Sequence, residues 1–150
     1  MIDVEISGPA IPRLSRAAIG EFVEEVFNAI RRSVPSSRTV GDVSLAFVGD
    51  EEMRALNRRF RKKNKTTDVL TFPADDSYAE PGNTKRPLGD IVISLDQARR
   101  QATSEGHALA TEVRYLLLHG ILHAHGYDHE TDDGEMNALE LRTRAKVGLP

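Results

Sequence analysis

The sequence predicts an α+β fold: a small mixed β-sheet of about four strands with helices packed on its faces. Two patterns lead there. Short apolar runs with period two or no period alternate with longer runs whose apolar residues recur every three or four positions. Taken in order, these segments read βα-βα-ββ-ααα, an arrangement in which helices cover a sheet that cannot be purely parallel. With 150 residues and no repeat, linker or low-complexity tract, residues 1–150 are expected to form a single domain.

Residues 2–6 alternate apolar and acidic, which predicts a strand with one face to the core, broken by Pro9 and Pro12. From Arg13 to Val34, Leu14, Ala18, Phe22, Val26 and Ile30 recur at intervals of four, an amphipathic helix stopped by Pro35. Val43–Val48 is an apolar strand closed by Gly49. Asp50 is expected to cap a second helix, with Met53, Leu56 and Phe60 as its buried stripe. Thr67–Pro73 reads as a third strand, 74–87 as a polar loop, and Leu88–Ser94 as a fourth strand near the third. Asp96 is expected to cap a helix running to Glu105, where Gly106 interrupts. The next helix, Ala108–His125, is apolar nearly all round and therefore central and buried. A last helix, Asp133–Lys146, turns Met136, Leu139 and Thr143 inward. The pattern does not specify the strand order.

Composition narrows the function classes. The chain is 39% hydrophobic and 29% charged, an ordinary soluble balance, and it has no cysteine. Disulfides and thiolate ligands are excluded, which fits a cytoplasmic home, and any metal must sit on nitrogen and oxygen. No basic head precedes a long apolar run at the N-terminus, and the apolar stretch Tyr115–Leu118 is far too short to span a bilayer. The net charge is only −3, yet Arg58, Arg59, Arg61, Lys62, Lys63 and Lys65 place six cations within eight residues. Cations at a helix C-terminus complement its dipole, so part of the cluster is accounted for structurally. Mutual repulsion among six neighbours goes beyond that need and argues for an anionic partner such as phosphate.

Four of the five histidines fall between residues 119 and 129. His119 and His123, four apart, project from one face of the central helix. Gly126 can end the helix in a left-handed conformation and turn His129 back toward them. Three converging imidazoles make a zinc site with one position open, the arrangement of catalytic zinc, at the end of the central buried helix. His125, only two residues from His123, falls on another side. The spacing H-x-x-x-H-x-x-G-x-x-H also matches the metzincin proteases, but the Glu that serves them as general base is replaced here by Gly120. That predicts metal-assisted hydrolysis of something other than a peptide.

These residues resemble the YbeY family of metal-dependent endoribonucleases. His119, Gly120, Leu122, His123, Gly126, Tyr127, Asp128 and His129 match H-G-x-L-H-x-x-G-Y-D-H at every fixed position. Supporting segments are Leu56, Asn57, Phe60 and Arg61, then Thr67–Pro73 and Leu88–Ile93. Two departures, Ala124 in place of Leu and Asn64-Lys65-Thr66 in place of Asp-x-Pro, touch no ligand. The resemblance implies one Zn2+ per chain on His119, His123 and His129, with Arg61 as a functional residue beside it. It also implies single-stranded RNA as substrate, with a role in small-subunit ribosomal RNA maturation and ribosome quality control, and the ribosome or its proteins as partners. Arg61 would stabilise the reacting phosphate, and Arg59, Lys62 and Lys63 would hold the strand by charge. Asp128 is a candidate for orienting an imidazole; the general base is not evident. Two other readings stay open: a non-catalytic RNA- or ribosome-binding module with structural zinc, and a metallopeptidase, against which the missing Glu counts.

Overall fold

The computed structural model describes residues 1–74, 85–128 and 130–150, so most of the expected 74–87 loop, and His129, lie outside the described residues. The fold is α+β. In chain order the elements are β1 (Asp3–Ser7), α1 (Arg16–Ile30), a short 3-10 turn (Pro35–Thr39), β2 (Val40–Val48), α2 (Asp50–Arg61), β3 (Val69–Pro73), β4 (Arg86–Ser94), α3 (Leu95–Glu105), α4 (Leu109–Ala124) and α5 (Glu135–Val147). Boundaries differ from the expected ones by a few residues. The first helix is the most shortened: Ser15 caps it by accepting the Ala18 N–H at 3.0 Å, and Arg13 before it has φ of 61°.

The strands form one sheet in the order β1-β2-β4-β3. β1 and β2 are parallel, as are β2 and β4, while β3 runs antiparallel to β4. Each parallel step needs a crossover, which α1 supplies for the first pair. β4 is thus interior, and its end, Ile91–Ser94, is buried without a break, as a strand covered on both faces requires. Alternation along it divides the core. Ile91 and Ile93 face α1 and α4, packing with Val26, Phe27, Leu117, Leu118 and Ile121. Val92 faces the other way, to Met53 of α2 with Val48 and Leu70. α5 packs against α1 and α4, and α3 against α4. Among the described residues no helix is long and apolar enough to cross a membrane.

Three local expectations are corrected. Asp50 is not the N-cap of α2; Gly49 is, without a side-chain bond, and Asp50 is the first helical residue. Asp96 does not cap its own helix either. Ser94 does, accepting the Gln97 N–H at 3.2 Å, while Asp96 accepts the Asp50 N–H at 2.9 Å and so caps α2. The exchange follows from topology: parallel β2 and β4 end side by side, Val48 opposite Ser94, so the helices after them start together. Finally, the stripe on α2 runs from Met53 to Asn57, which is 3% exposed, and Phe60 is 54% exposed. The last turn of α2 has reached the edge strand, where Phe60 meets Phe72 edge-on, ring centroids 5.1 Å apart.

Candidate active site

α4 is pinned lengthwise on β3 and β4. Gly120 makes the close approach possible: a Cβ there would stand 2.8 Å from Cγ2 of Ile91. The same packing leaves no room for the glutamate that a metzincin carries at this position. One residue earlier and three later, His119 and His123 emerge on the side facing β3 and the end of α2. Their ring centroids are 5.1 Å apart and the planes tilted by 49°. The helix then ends in a Schellman arrangement. Gly126 takes φ of 97°, its N–H returns to His123 O at 2.9 Å, and the Tyr127 N–H returns to Leu122 O at 3.3 Å.

Both imidazoles line a groove of about 440 Å³ bounded by β3 and the segment after α2, together with Arg61, Lys63, Asp68, Asp128 and Glu130. β3 is the outer strand of the sheet, so among the described residues no strand pairs with its second edge, which runs along this groove. Asp68 O accepts the Ser94 N–H at 2.9 Å, and Ala74 N–H reaches Leu88 O at 3.1 Å. Antiparallel alternation then turns the backbone groups of Val69 and Thr71 away from β4. Asp68 holds its end of the strand, accepting the Val69 N–H at 2.7 Å and the Gln101 side-chain amide at 3.2 Å.

The basic segment is anchored on both sides. Lys62 ends α2 in a left-handed conformation, and the Lys63 N–H turns back to Asn57 O at 3.3 Å. The buried Asn57 amide donates to Lys65 O at 2.9 Å. Thr66 donates to Asp50, which also accepts from Ser94 and pairs with Arg100 at 2.8 Å. Burial pushes the Asp50 carboxyl up, but the Arg100, Thr66 and Ser94 hydrogen bonds and the Arg100 charge outweigh it and hold the group below its ordinary value.

The sequence-predicted site residues divide. His119, His123, Arg61 and Lys63 share the groove. Arg59 and Lys62 are not among its described lining residues; Arg59 stands over the Phe60 ring, 5.1 Å from the centroid. His129, the third predicted ligand, lies outside the described residues, and among the described residues no three His, Asp or Glu side chains are close enough to hold a metal ion. His125 points into the core. One ring nitrogen bonds Ile121 O at 2.8 Å, and the ring stands edge-on to Phe27 at 5.5 Å. Burial, with the charge of Arg86, pushes its pKa down against that hydrogen bond.

Three polar residues of the site were not singled out from sequence. Asn57 had a readable signal, a polar residue one turn after Met53 on an apolar stripe. Asp68 falls within the family segment Thr67–Pro73, and Glu140 carries no signal. Glu140, on α5, brings Oε1 to 3.4 Å from His119 Nδ1, so that ring turns its other nitrogen away from α5; Arg144 lies 3.9 Å from the same oxygen.

The family model described as Endoribonuclease YbeY matches residues 10–148. The chain belongs to the YbeY family. Relatives named Endoribonuclease YbeY include one from Nautilia profundicola, 50% identical over 109 residues, 73% of this chain and 74% of that one. Another, from Solibacter usitatus, is 44% identical over 137 residues, 91% of this chain and 82% of that one. The solution structure of a Thermotoga maritima protein is similar with a TM-score of 0.55 and 25% identity, covering 98% of this chain and 89% of that chain. Of the motif residues quoted from the sequence, Asn57, Arg61, Thr67–Thr71, His119, His123 and Asp128 line the groove, and Gly126 ends α4.

Proposed function

We propose that this protein is a zinc-dependent endoribonuclease that cuts single-stranded RNA, acting in the cytoplasm in small-subunit ribosomal RNA maturation and ribosome quality control. The observation that supports it most is one groove holding two imidazoles, a guanidinium and two lysines, in a member of a family whose relatives are named endoribonucleases. Endoribonucleases are hydrolases of phosphodiester bonds. The donor set fits zinc: imidazoles from one helix face, with no thiolate in the chain, and a glycine-ended helix that reverses the chain just before His129. His119, His123 and His129 would hold one ion. When bound, zinc supplies Lewis acidity toward a phosphoryl oxygen and acidifies water at neutral pH.

The chain's own residues supply the rest. Arg61 offers a planar fork of donors to a phosphate whose charge builds in the transition state. Lys63 and its neighbours attract the backbone, with affinity falling as salt rises. Gly120, closed against Ile91, excludes a peptidase base at that position.

The test joins metal content to cleavage. Purified protein should carry about one zinc per chain and cut single-stranded RNA, both lost in the His119/His123/His129→Ala triple variant. Arg61→Lys keeps the charge but not the fork; RNA binding should stay nearly unchanged while single-turnover cleavage falls about 10²-fold. Lys62→Ala and Lys63→Ala should weaken binding and flatten its salt dependence. Zinc-loaded protein that cuts no RNA, with or without ribosomal components, would leave the structural-zinc module as the better reading.

A further inference from the structure

A second cavity, of about 500 Å³, lies on the opposite face of the sheet from α4, lined by Leu56, Phe60, Phe72, Ala46, Val92 and Asp90 among others. α2 covers this face only in part. Its last turn projects Phe60, one of three large hydrophobic residues left exposed among the described residues. Phe60 is therefore a flat apolar surface in water, inside a run of six cations. The Arg59 guanidinium stands 5.1 Å from its centroid, a planar cation beside a planar ring. Phe72 supports it edge-on at 5.1 Å, and Asp90 is Phe72's cross-strand partner on β4.

From this juxtaposition we propose that the pocket walled by Phe60 and Phe72 is a base-binding subsite, which stacks an unpaired nucleobase of the RNA strand whose backbone is held in the zinc-site groove. The proposal rests on the ribonuclease reading of that groove.

Charge selects the occupant. A ligand fitting both features must carry an anionic backbone for the cations and a flat apolar group for Phe60, and single-stranded nucleic acid carries both. Asp90 and Glu5, both in the lining, repel phosphate but accept hydrogen bonds from base amino groups, so the pocket takes the base and leaves the backbone outside. Position agrees. β3 and the end of α2 form a ridge between the two cavities. Arg61 and Thr71 line the groove side, Phe60 and Phe72 the pocket side. A strand crossing the ridge puts a phosphate and the next base on opposite flanks.

The chain has no tryptophan, so Phe60→Trp creates a single tryptophan at the pocket, excited selectively over the three tyrosines at about 295 nm or above. Its emission should be quenched by a single-stranded oligoribonucleotide and unaffected by an abasic sugar–phosphate strand of equal length. Phe60→Ala, at an exposed position that the core does not need, should weaken oligoribonucleotide binding about tenfold, as removal of a stacking partner does. The salt slope should stay unchanged, because no phosphate contact is lost. RNA bound with wild-type affinity by Phe60→Ala, and without quenching by Phe60→Trp, would overturn the subsite while leaving the ribonuclease reading intact. Protein that binds no RNA in any variant would overturn both. Self-association lost in Phe60→Ala with RNA affinity unchanged would assign the face to a second copy and also overturn the subsite.

Discussion

Two helical glycines provide a matched test of how tightly α4 is seated. Gly20, within α1, has no heavy atom within 4 Å of where a Cβ would stand, whereas at Gly120 that Cβ would lie 2.8 Å from Ile91 Cγ2 and 3.5 Å from Val69 Cγ2. In both places Gly→Ala gains about 1 kcal/mol of helix propensity. At Gly20 nothing opposes the gain, and the variant should be more stable by up to about that amount. At Gly120 the new methyl sits roughly 1 Å inside ordinary carbon–carbon contact. Ile91 cannot swing aside, being wholly buried and branched at the very carbon that carries the clashing methyl. Overpacking of this kind costs about 1–3 kcal/mol, and with α4 held from both sides the upper part of that range applies. The net expectation is a loss of about 1–2 kcal/mol after the propensity gain. For a chain of this size, about 2–4 °C of Tm follow each kcal/mol. Thermal and urea unfolding of both variants, side by side, should therefore move in opposite directions. Equal stabilisation by the two substitutions would refute the close seating of α4 on β4, and with it the exclusion of a side chain at the metzincin base position.

Asp50 should contribute a pH-dependent increment of stability. Its folded pKa lies below the ordinary 3.8, so the unfolded chain binds the extra proton first; the increment is complete well above 3.8 and is lost as pH falls through the folded value. Asp50→Asn should reduce stability by about 1 kcal/mol at neutral pH and flatten the acid limb of the unfolding curve, which unfolding from pH 7 to 3 would measure. A variant as steep as wild type would contradict this. His123→Ala should abolish zinc retention and His125→Ala should not, although the second removes the ring against Phe27 and should lower Tm; elemental analysis and calorimetry separate the two effects. Glu140→Gln, which keeps the shape but not the charge beside His119 Nδ1, should weaken zinc affinity about 10–100-fold by competition with a chelator, and unchanged affinity would make the contact incidental.

Legibility followed the range of the interactions. The helix carrying His119 and His123 was readable because its own period and Gly126 define it locally. The α2 cap was misread for the opposite reason. Asp50 has the chemistry of a cap, but Asp96, 46 residues away, reaches its N–H because two parallel strands end together. Phe60 failed in the same way. Its spacing from Met53 and Leu56 marks a helix face without telling where the sheet beneath that face ends, and the stripe had already terminated at Asn57. Asn57 and Asp68 stand out in the sequence only as members of family segments, because their hydrogen-bond partners are not local to them: Lys65 O is eight residues from Asn57 and Gln101 is 33 from Asp68.

The chain alone therefore specified which segments are helix or strand, the mixed character of the sheet, the absence of thiolate chemistry, and two imidazoles on one helix face. Those features depend on contacts within a turn or two, or on composition. Tertiary structure decided the rest: that β4 inserts between β2 and β3, that β3 is the outer strand along the groove, and that Arg61 joins the histidines while Arg59 turns to Phe60. It also set Glu140 beside His119. Period and propensity record how a segment folds upon itself. Which segments become neighbours depends on the combined burial of their apolar faces, here around Ile91, Val92 and Ile93, and no single segment contains that information.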